Sequence, residues 1–458
     1  MNCKRIIAAL MCAVIPFGTA FLPFEVPITI VAEAATVTDS GTCGESLNWT
    51  LDDEGTLTIS GTGAMTDWKW SASPWFRNES IKKVTIENGV TNIGDDAFDE
   101  CTSLESITIP DSVTSIGNYA FAACSNLNSI TIPDYVVIIG IAAFMKCSSI
   151  KSMTIPDSVT SIGDAAFKYC SNLESITIPD SVESIDNEAF WGCECLKSMS
   201  IPNSVTSIAE YTFYNCPKLK TIIIPDSITS IGKYAFFNCS SLESISIPDS
   251  VKTIGSGTFQ NCSSLKSITI PDDVVSIGDA AFRECSGIES ITIPDSVTSI
   301  GINAFLLCAD LNQITILNPY CKIYDDESTI TNEYTSEKHL CTCVICGYER
   351  STAQAYAKKY GRTFESLGSS PFTYYSGDVN SDGHINAVDA SSVLAYYSLI
   401  STDQEGGFDA EQLLAADVNH DGLINAVDAS NILAYYAYAS TTKEDIISLE
   451  AYMKIEHR

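Results

Sequence analysis

The sequence predicts a solenoid of ten stacked coils with short parallel strands, followed by a small all-α module built on two metal-binding loops. Three observations predict it. Phe98, Phe121, Phe144, Phe167, Phe190, Phe213, Phe236, Phe259, Phe282 and Phe305 recur at one constant step. Ten cysteines from Cys101 to Cys308 and nine prolines from Pro110 to Pro294 keep the same step. The acidic stretch 378–389 then returns, nearly unchanged, at 417–428. A fixed period of this order marks units that bury their apolar faces only by stacking on neighbours.

Composition bounds the function. The 458 residues carry 25 basic and 57 acidic side chains, a net charge of −32. Such a chain repels nucleic acid and anionic lipid and attracts cations. Residues 1–34 read as a signal peptide: Lys4 and Arg5, an apolar stretch broken by Pro16, Pro23 and Pro27, then the small-x-small site Ala32-Glu33-Ala34. Export of a protein with no membrane insertion is the expectation. Residues 36–80 are expected to form a terminal cap, because an end coil would otherwise expose its apolar face.

Residues 81–316 hold the repeats. A typical unit runs from Cys101 to Phe121 and contains Leu104-x-x-Ile107-x-Ile109, the apolar spacing of a leucine-rich repeat. Ile107-Thr108-Ile109 is a short strand with one face buried, ended by Pro110, which has no N–H to donate. Val113 and Ile116 turn inward on the return path, and Phe121 packs on the next coil. The ladder cysteines all point inward in parallel, a poor fit to the near-perpendicular torsion of a disulfide, so packed thiols are expected. Off the ladder are Cys43 and Cys195. The outward strand positions, Ser106 to Gln313 and the Thr or Ser next but one to each, make a nearly uniform hydroxyl face. Trp49, Trp68, Trp70 and Trp75 cluster in the cap, where they either cover apolar surface or stack on sugars. Residues 317–366 read as an insertion and a helical cap at Ser351–Tyr360. The insertion carries Cys321 and a metal-like cluster, His339, Cys341, Cys343 and Cys346, whose spacing fits no common zinc site.

These units and flanks resemble the BspA-like leucine-rich-repeat proteins of bacterial surfaces. The resemblance implies an α/β leucine-rich-repeat solenoid with hairpin and helical caps.

After a linker at 367–376, the module at 377–440 carries two twelve-residue loops with the pattern of a calcium site. Side-chain oxygens fall at Asp378, Asn380, Asp382, Asn386 and Asp389, and again at Asp417, Asn419, Asp421, Asn425 and Asp428. Position 7, His384 and Leu423, offers a backbone carbonyl, and Gly383 and Gly422 make the turn. Each loop runs into a helix, 389–399 and 428–438, and no entering helix is evident before the first loop. Residues 441–458 read as a tail. The module resembles a type I dockerin. That resemblance implies two bound calcium ions and a cohesin partner on a cellulosome-type scaffold. It also implies partner contacts at Ala387, Val388 and Leu394 and at Ala426, Val427 and Leu433. Small apolar pairs after position 9 depart from the hydroxyl pair common in some dockerins.

No enzyme is expected. The four histidines are His339, His384, His420 and His457, and no Ser-His-Asp set is plausible within the array. The expected role is a secreted, extracellular binding or adhesion subunit that meets plant cell-wall polysaccharide or a surface protein through the solenoid. The alternative is a spacer or a protease-regulating subunit of the same complex.

Overall fold

The computed structural model describes residues 35–334, 339–340, 342–368, 376–380, 382, 384–402, 404, 406–419, 422–441, 449 and 452–453. The expected signal segment, Cys341, Gly383, His420, Asp421 and His457 lie outside them.

The chain opens with β1 (Val37–Gly44), β2 (Leu47–Asp52) and β3 (Thr56–Gly61), joined antiparallel in order. β3 then pairs in parallel with β4 (Lys83–Ile86), which pairs with Ser106–Thr108 of the first full coil. The hairpin therefore closes the solenoid by continuing its sheet. Along the array, strands pair in parallel with their counterparts in the next coil, as in Ser152↔Ser175 and Ser290↔Gln313. Their alternation is outward–inward–outward, with Ile176 buried between exposed Ser175 and Thr177.

A second ladder, not expected from the sequence, runs along the return path. Very short strands such as Ser115–Ile116, Ile138–Ile139 and Ser161–Ile162 pair in parallel. The array also continues past residue 316. Val344–Gly347 pairs with Gln313–Thr315, and Thr363–Ser366 pairs with Val344–Gly347. α1 (Thr352–Lys359) lies between those last two strands and is capped by Ser351, whose side chain accepts from the Gln354 N–H. No helix occurs among the described residues before α1, so the coils are β-strands joined by turns.

The core is a set of side-chain ladders. The ten phenylalanines are fully buried, with successive ring centroids 5.3–5.6 Å apart and planes within 3–14° of parallel. Trp75 heads the stack, 5.6 Å from Phe98. Each ladder cysteine is a free thiol whose Sγ–H donates to a carbonyl of the preceding coil, at 3.0–3.4 Å. A weak donor of that size satisfies a buried carbonyl without leaving a void. Burial pushes these thiols up, to about 12 at Cys101, Cys170, Cys239 and Cys308. Serines that follow Pro-Asp work alike in several coils: Ser112, Ser181 and Ser296 donate to Val90, Val159 and Val274 carbonyls at 2.7, 2.9 and 2.7 Å.

Beyond the solenoid come α2 (Ala387–Ile400), α3 (Ala410–Ala416) and α4 (Ala426–Thr441). They share a separate core of Val379, Ala390, Val393, Val418, Ala429 and Ile432, to which Leu449 and Met453 from the C-terminal stretch are added.

Candidate calcium loops and docking surface

The two loops are built by the same local logic. In the first, Asn386 is the N-cap of α2 and its side-chain oxygen accepts from the Val388 N–H at 2.7 Å. The Asp389 carboxylate answers by accepting from the Asn386 N–H at 2.8 Å, completing a capping box. The same carboxylate reaches back across the loop to the Val379 and Asn380 N–H groups at 2.8 and 3.2 Å. Asp382 donates its N–H to Asp378 Oδ1 at 3.1 Å and to Asn380 Oδ1 at 3.0 Å. Carboxylates and amides at positions 1, 3, 5, 9 and 12 are thereby gathered onto one short loop.

The second loop repeats this. Asn425 Oδ1 accepts from the Val427 N–H at 2.7 Å, and Asp428 Oδ2 accepts from the Asn425 N–H at 3.0 Å. Asp417 Oδ2 accepts from the Gly422 N–H at 3.0 Å across the turn. Gly422 has φ +80°, the left-handed value the sixth position requires. His384 and Leu423 hold position 7 with exposed side chains, which leaves that position to its carbonyl.

The donor set asks for a hard cation. Asp378, Asp389 and Asp428 are almost wholly buried, and desolvation, opposed by backbone N–H donors, raises the Asp389 pKa. Residues 376–441 contain eight aspartates and two glutamates but no lysine or arginine. Burying a carboxylate is costly unless hydrogen bonds or a positive charge compensate it, and a cation bound in the loops would supply that charge. All the donors are oxygens, the chemistry of calcium rather than of a thiolate-seeking metal. The residues present fit that ion.

α2 and α4 begin slightly earlier than the sequence suggested, because Asn386 and Asn425 stand directly before them and accept from their first turns. Those first turns expose Ala387 and Val388, and Ala426 and Val427. Leu394 and Leu433, further along each helix, are also exposed, by 44% and 42%. Isolated apolar side chains on a surface are ordinary; here the same ones recur at matched positions of two helices. α3 was not expected from the sequence. Its signal was present in Asp409-x-x-Gln412, a capping box that the structure forms in both directions.

Other candidate sites fare differently. Trp49 and Trp75 are buried and Trp68 packs on the same core, so three cap tryptophans cover the end of the phenylalanine stack; Trp70 alone is exposed. In the metal-like cluster, Cys343 and Cys346 are buried in the last coils and Cys321 in the core. Among the described residues no three His, Cys, Asp or Glu side chains converge closely enough to hold a metal, neither in this cluster nor among the loop aspartates. None of the helices among the described residues is long and apolar enough to cross a membrane.

Comparison with known proteins agrees with both halves. Residues 72–197 and 183–312, more than half of the chain, match the BspA-type leucine-rich-repeat region. Residues 376–435 match the type I dockerin domain, a calcium-binding module whose partner is a cohesin. Neither matched module is catalytic. Among solved structures, the chain is similar to a leucine-rich-repeat protein from Bacteroides ovatus, at 26% identity over 74% of this chain and 100% of that one, with a TM-score of 0.46. It is also similar to one from Eubacterium ventriosum, at 25% identity over 65% and 97% with a TM-score of 0.39. A leucine-rich cell surface protein from Faecalibacterium prausnitzii matches at 29% identity over 65% and 98%, with a TM-score of 0.34. No curated protein matches the chain.

Proposed function

Because the chain belongs to the BspA-type leucine-rich-repeat proteins and ends in a type I dockerin, we propose that it is a secreted, non-catalytic binding subunit that calcium docks onto a scaffold. The observation that carries the reading is the doubled loop in a stretch without lysine or arginine, each copy feeding a helix with the same exposed apolar residues.

In this reading two calcium ions fill the loops. Asp378, Asn380, Asp382, Asn386, Asp389 and the carbonyl of His384 hold the first. Asp417, Asn419, Asp421, Asn425, Asp428 and the carbonyl of Leu423 hold the second. Metal binding removes carboxylate repulsion and fixes the N-terminal ends of α2 and α4, so binding energy becomes folding energy. Ala387, Val388 and Leu394, or Ala426, Val427 and Leu433, then meet the cohesin. The test is a screen of immobilised cohesins with the full chain, in calcium and in EDTA. Capture in calcium, lost in EDTA and restored by added calcium, is the expected result; capture in EDTA would overturn the proposal.

The solenoid presents the target-binding surface. A spacer role is the second reading, and the uniform strand face favours it: exposed Ser and Thr repeat from coil to coil, with Ile223 the one large apolar interruption. Protease regulation has no feature of its own in its favour.

A further inference from the structure

The solenoid varies most on its turn side, beside the buried phenylalanines. There, just before the Ala-Phe step or its equivalent and just after it, four successive coils carry aromatic side chains: Tyr169, Trp191, Tyr211 with Tyr214, and Tyr234 with Phe237. The corresponding positions of coils on either side hold Ala142 and Met145, or Gly257 and Gln260. The fold does not require the rings, since those coils stack without them. All six are partly exposed, Tyr169 by 40%.

The rings form one continuous row along the solenoid axis. Trp191 lies 5.5 Å from Tyr211 and 4.4 Å from Tyr214, centroid to centroid. Tyr211 overlaps Tyr234 at 5.4 Å and 11°, and Tyr214 overlaps Phe237 at 4.4 Å and 9°. Tyr169 joins the row at 6.3 Å from Trp191. Glycines make room at two points: a Cβ on Gly192 would come within 2.5 Å of the Tyr169 ring, and one on Gly257 within 2.2 Å of the Tyr234 ring. The Lys168 ammonium sits 3.8 Å from the Trp191 ring centroid and is paired with Glu188 at 2.5 Å, which holds the indole in place.

A second row runs beside the first. Asn215, Asn238 and Asn261 follow Tyr214, Phe237 and Gln260 in sequence and occupy left-handed backbone, φ 57°, 57° and 61°. Asn238 Nδ2 donates to Asn215 Oδ1, and Asn261 Nδ2 to Asn238 Oδ1, each at 2.6 Å. The chain of amides is rigid and directional. Overlapping aromatic tiles flanked by ordered amides supply an apolar contact and a hydrogen-bonding edge side by side. A polymer of neutral sugars offers the complement: C–H faces for the rings and hydroxyls for the amides. Glu188 and Glu210 stand close in sequence to these rings, so the row is bordered by polar side chains.

Resting on the binding-subunit reading, we infer that the row from Tyr169 to Phe237 is the solenoid's glycan site and that it takes a neutral polysaccharide chain laid across four coils. The test is affinity electrophoresis of the full chain, in calcium, through gels containing xyloglucan, galactomannan or mixed-linkage β-glucan, with polygalacturonate as the anionic contrast. The wild-type chain is expected to be retarded by at least one neutral polymer and not by polygalacturonate. Trp191→Ala is expected to weaken retardation about tenfold, and Trp70→Ala, at the exposed cap tryptophan, to leave it unchanged. Should Trp191→Ala fail to fold, Tyr169→Ser and Asn261→Gly carry the test, since one removes an exposed ring and the other an amide while keeping the backbone allowed. Retardation unchanged in these variants, no retardation by any neutral polymer, or a row that captures only protein would overturn the assignment. Cohesin capture measured on the same preparations separates that failure from a failure of the docking reading.

Discussion

The solenoid and the docking module hold buried polar groups in opposite ways. In the solenoid the inward ladder thiols and serines meet carbonyls of the preceding coil, as Cys147 meets Phe121 and Ser112 meets Val90. Those groups are neutral and the ladder is complete within the chain. In the module, Asp378, Asp389 and Asp428 are buried carboxylates in a stretch with no cationic side chain. In the proposed reading, one half is stable by repetition and the other depends on an ion. Two adjoining parts of one chain can thus differ not in how well they are packed but in whether their chemistry closes without a ligand.

Chelation is the strongest way to break that contrast. In EDTA the module is expected to lose its helical signal and all cohesin capture, while the solenoid's thermal transition stays where it was. Calorimetry with and without calcium reads both transitions. At calcium one hundred times the dissociation constant, the module should gain about 2.7 kcal/mol per site. A solenoid transition that moved with the module would end the distinction.

Within the solenoid, Phe190→Ala in mid-stack removes a fully buried ring and should cost about 3–5 kcal/mol. Ser198→Ala on the strand face should stay within about 0.5 kcal/mol. Urea unfolding of the two variants gives the difference directly. If the cost of Phe190→Ala fell near that of Ser198→Ala, stacking would not be what holds the coils. Because neighbouring coils stabilise one another only locally, the large change should also split the transition into two.

Thiol chemistry sharpens the comparison on a smaller scale. The ladder thiols are buried and their pKa values raised, whereas Cys195 is partly exposed, with the Lys218 ammonium 3.3 Å from its sulfur. An aromatic disulfide reagent at pH 8 should label Cys195 in the folded chain and reach the ladder only on unfolding. Cys193→Ala should then cost about 1 kcal/mol, the weak hydrogen bond to Phe167 and a small void together.

What was legible in the sequence follows from these same forces. The constant step of Phe and Cys told where the core was, because a side chain that stacks on its own copy must recur without drift. The loops were legible because a metal cage needs oxygens at fixed spacing. The return-path ladder was not, since strands as short as Ser161–Ile162 carry no alternation to read. Nor was the continuation through Val344–Gly347, which comes later after Gln313 than the repeat would place it. The cap tryptophans admitted two readings until Trp75 was found at the head of the phenylalanine stack. The turn-side aromatics hid in a repeat whose most regular positions drew attention to the strand face.

The smallest predicted effect tests whether the solenoid is as free of charge strain as its ladders suggest. Asp96, Asp99 and Asp186 are exceptions, each raised by burial beside another carboxylate, and Asp99 in the first coil goes furthest: burial, with Asp96 and Glu100 close by, pushes its carboxyl up to about 6. A carboxyl whose folded pKa lies above its unfolded value, about 3.9, favours the folded chain only while protonated. The contribution is complete below about pH 4 and is lost as pH rises toward 6. Asp99→Asn should therefore stabilise the solenoid at pH 7 by about 1 kcal/mol, discounted for the side chain's partial exposure, and should change nothing at pH 4. Urea midpoints of the solenoid transition at the two pH values measure it. An equal gain at both would mean that the asparagine acts through packing and that Asp99 carries no electrostatic cost.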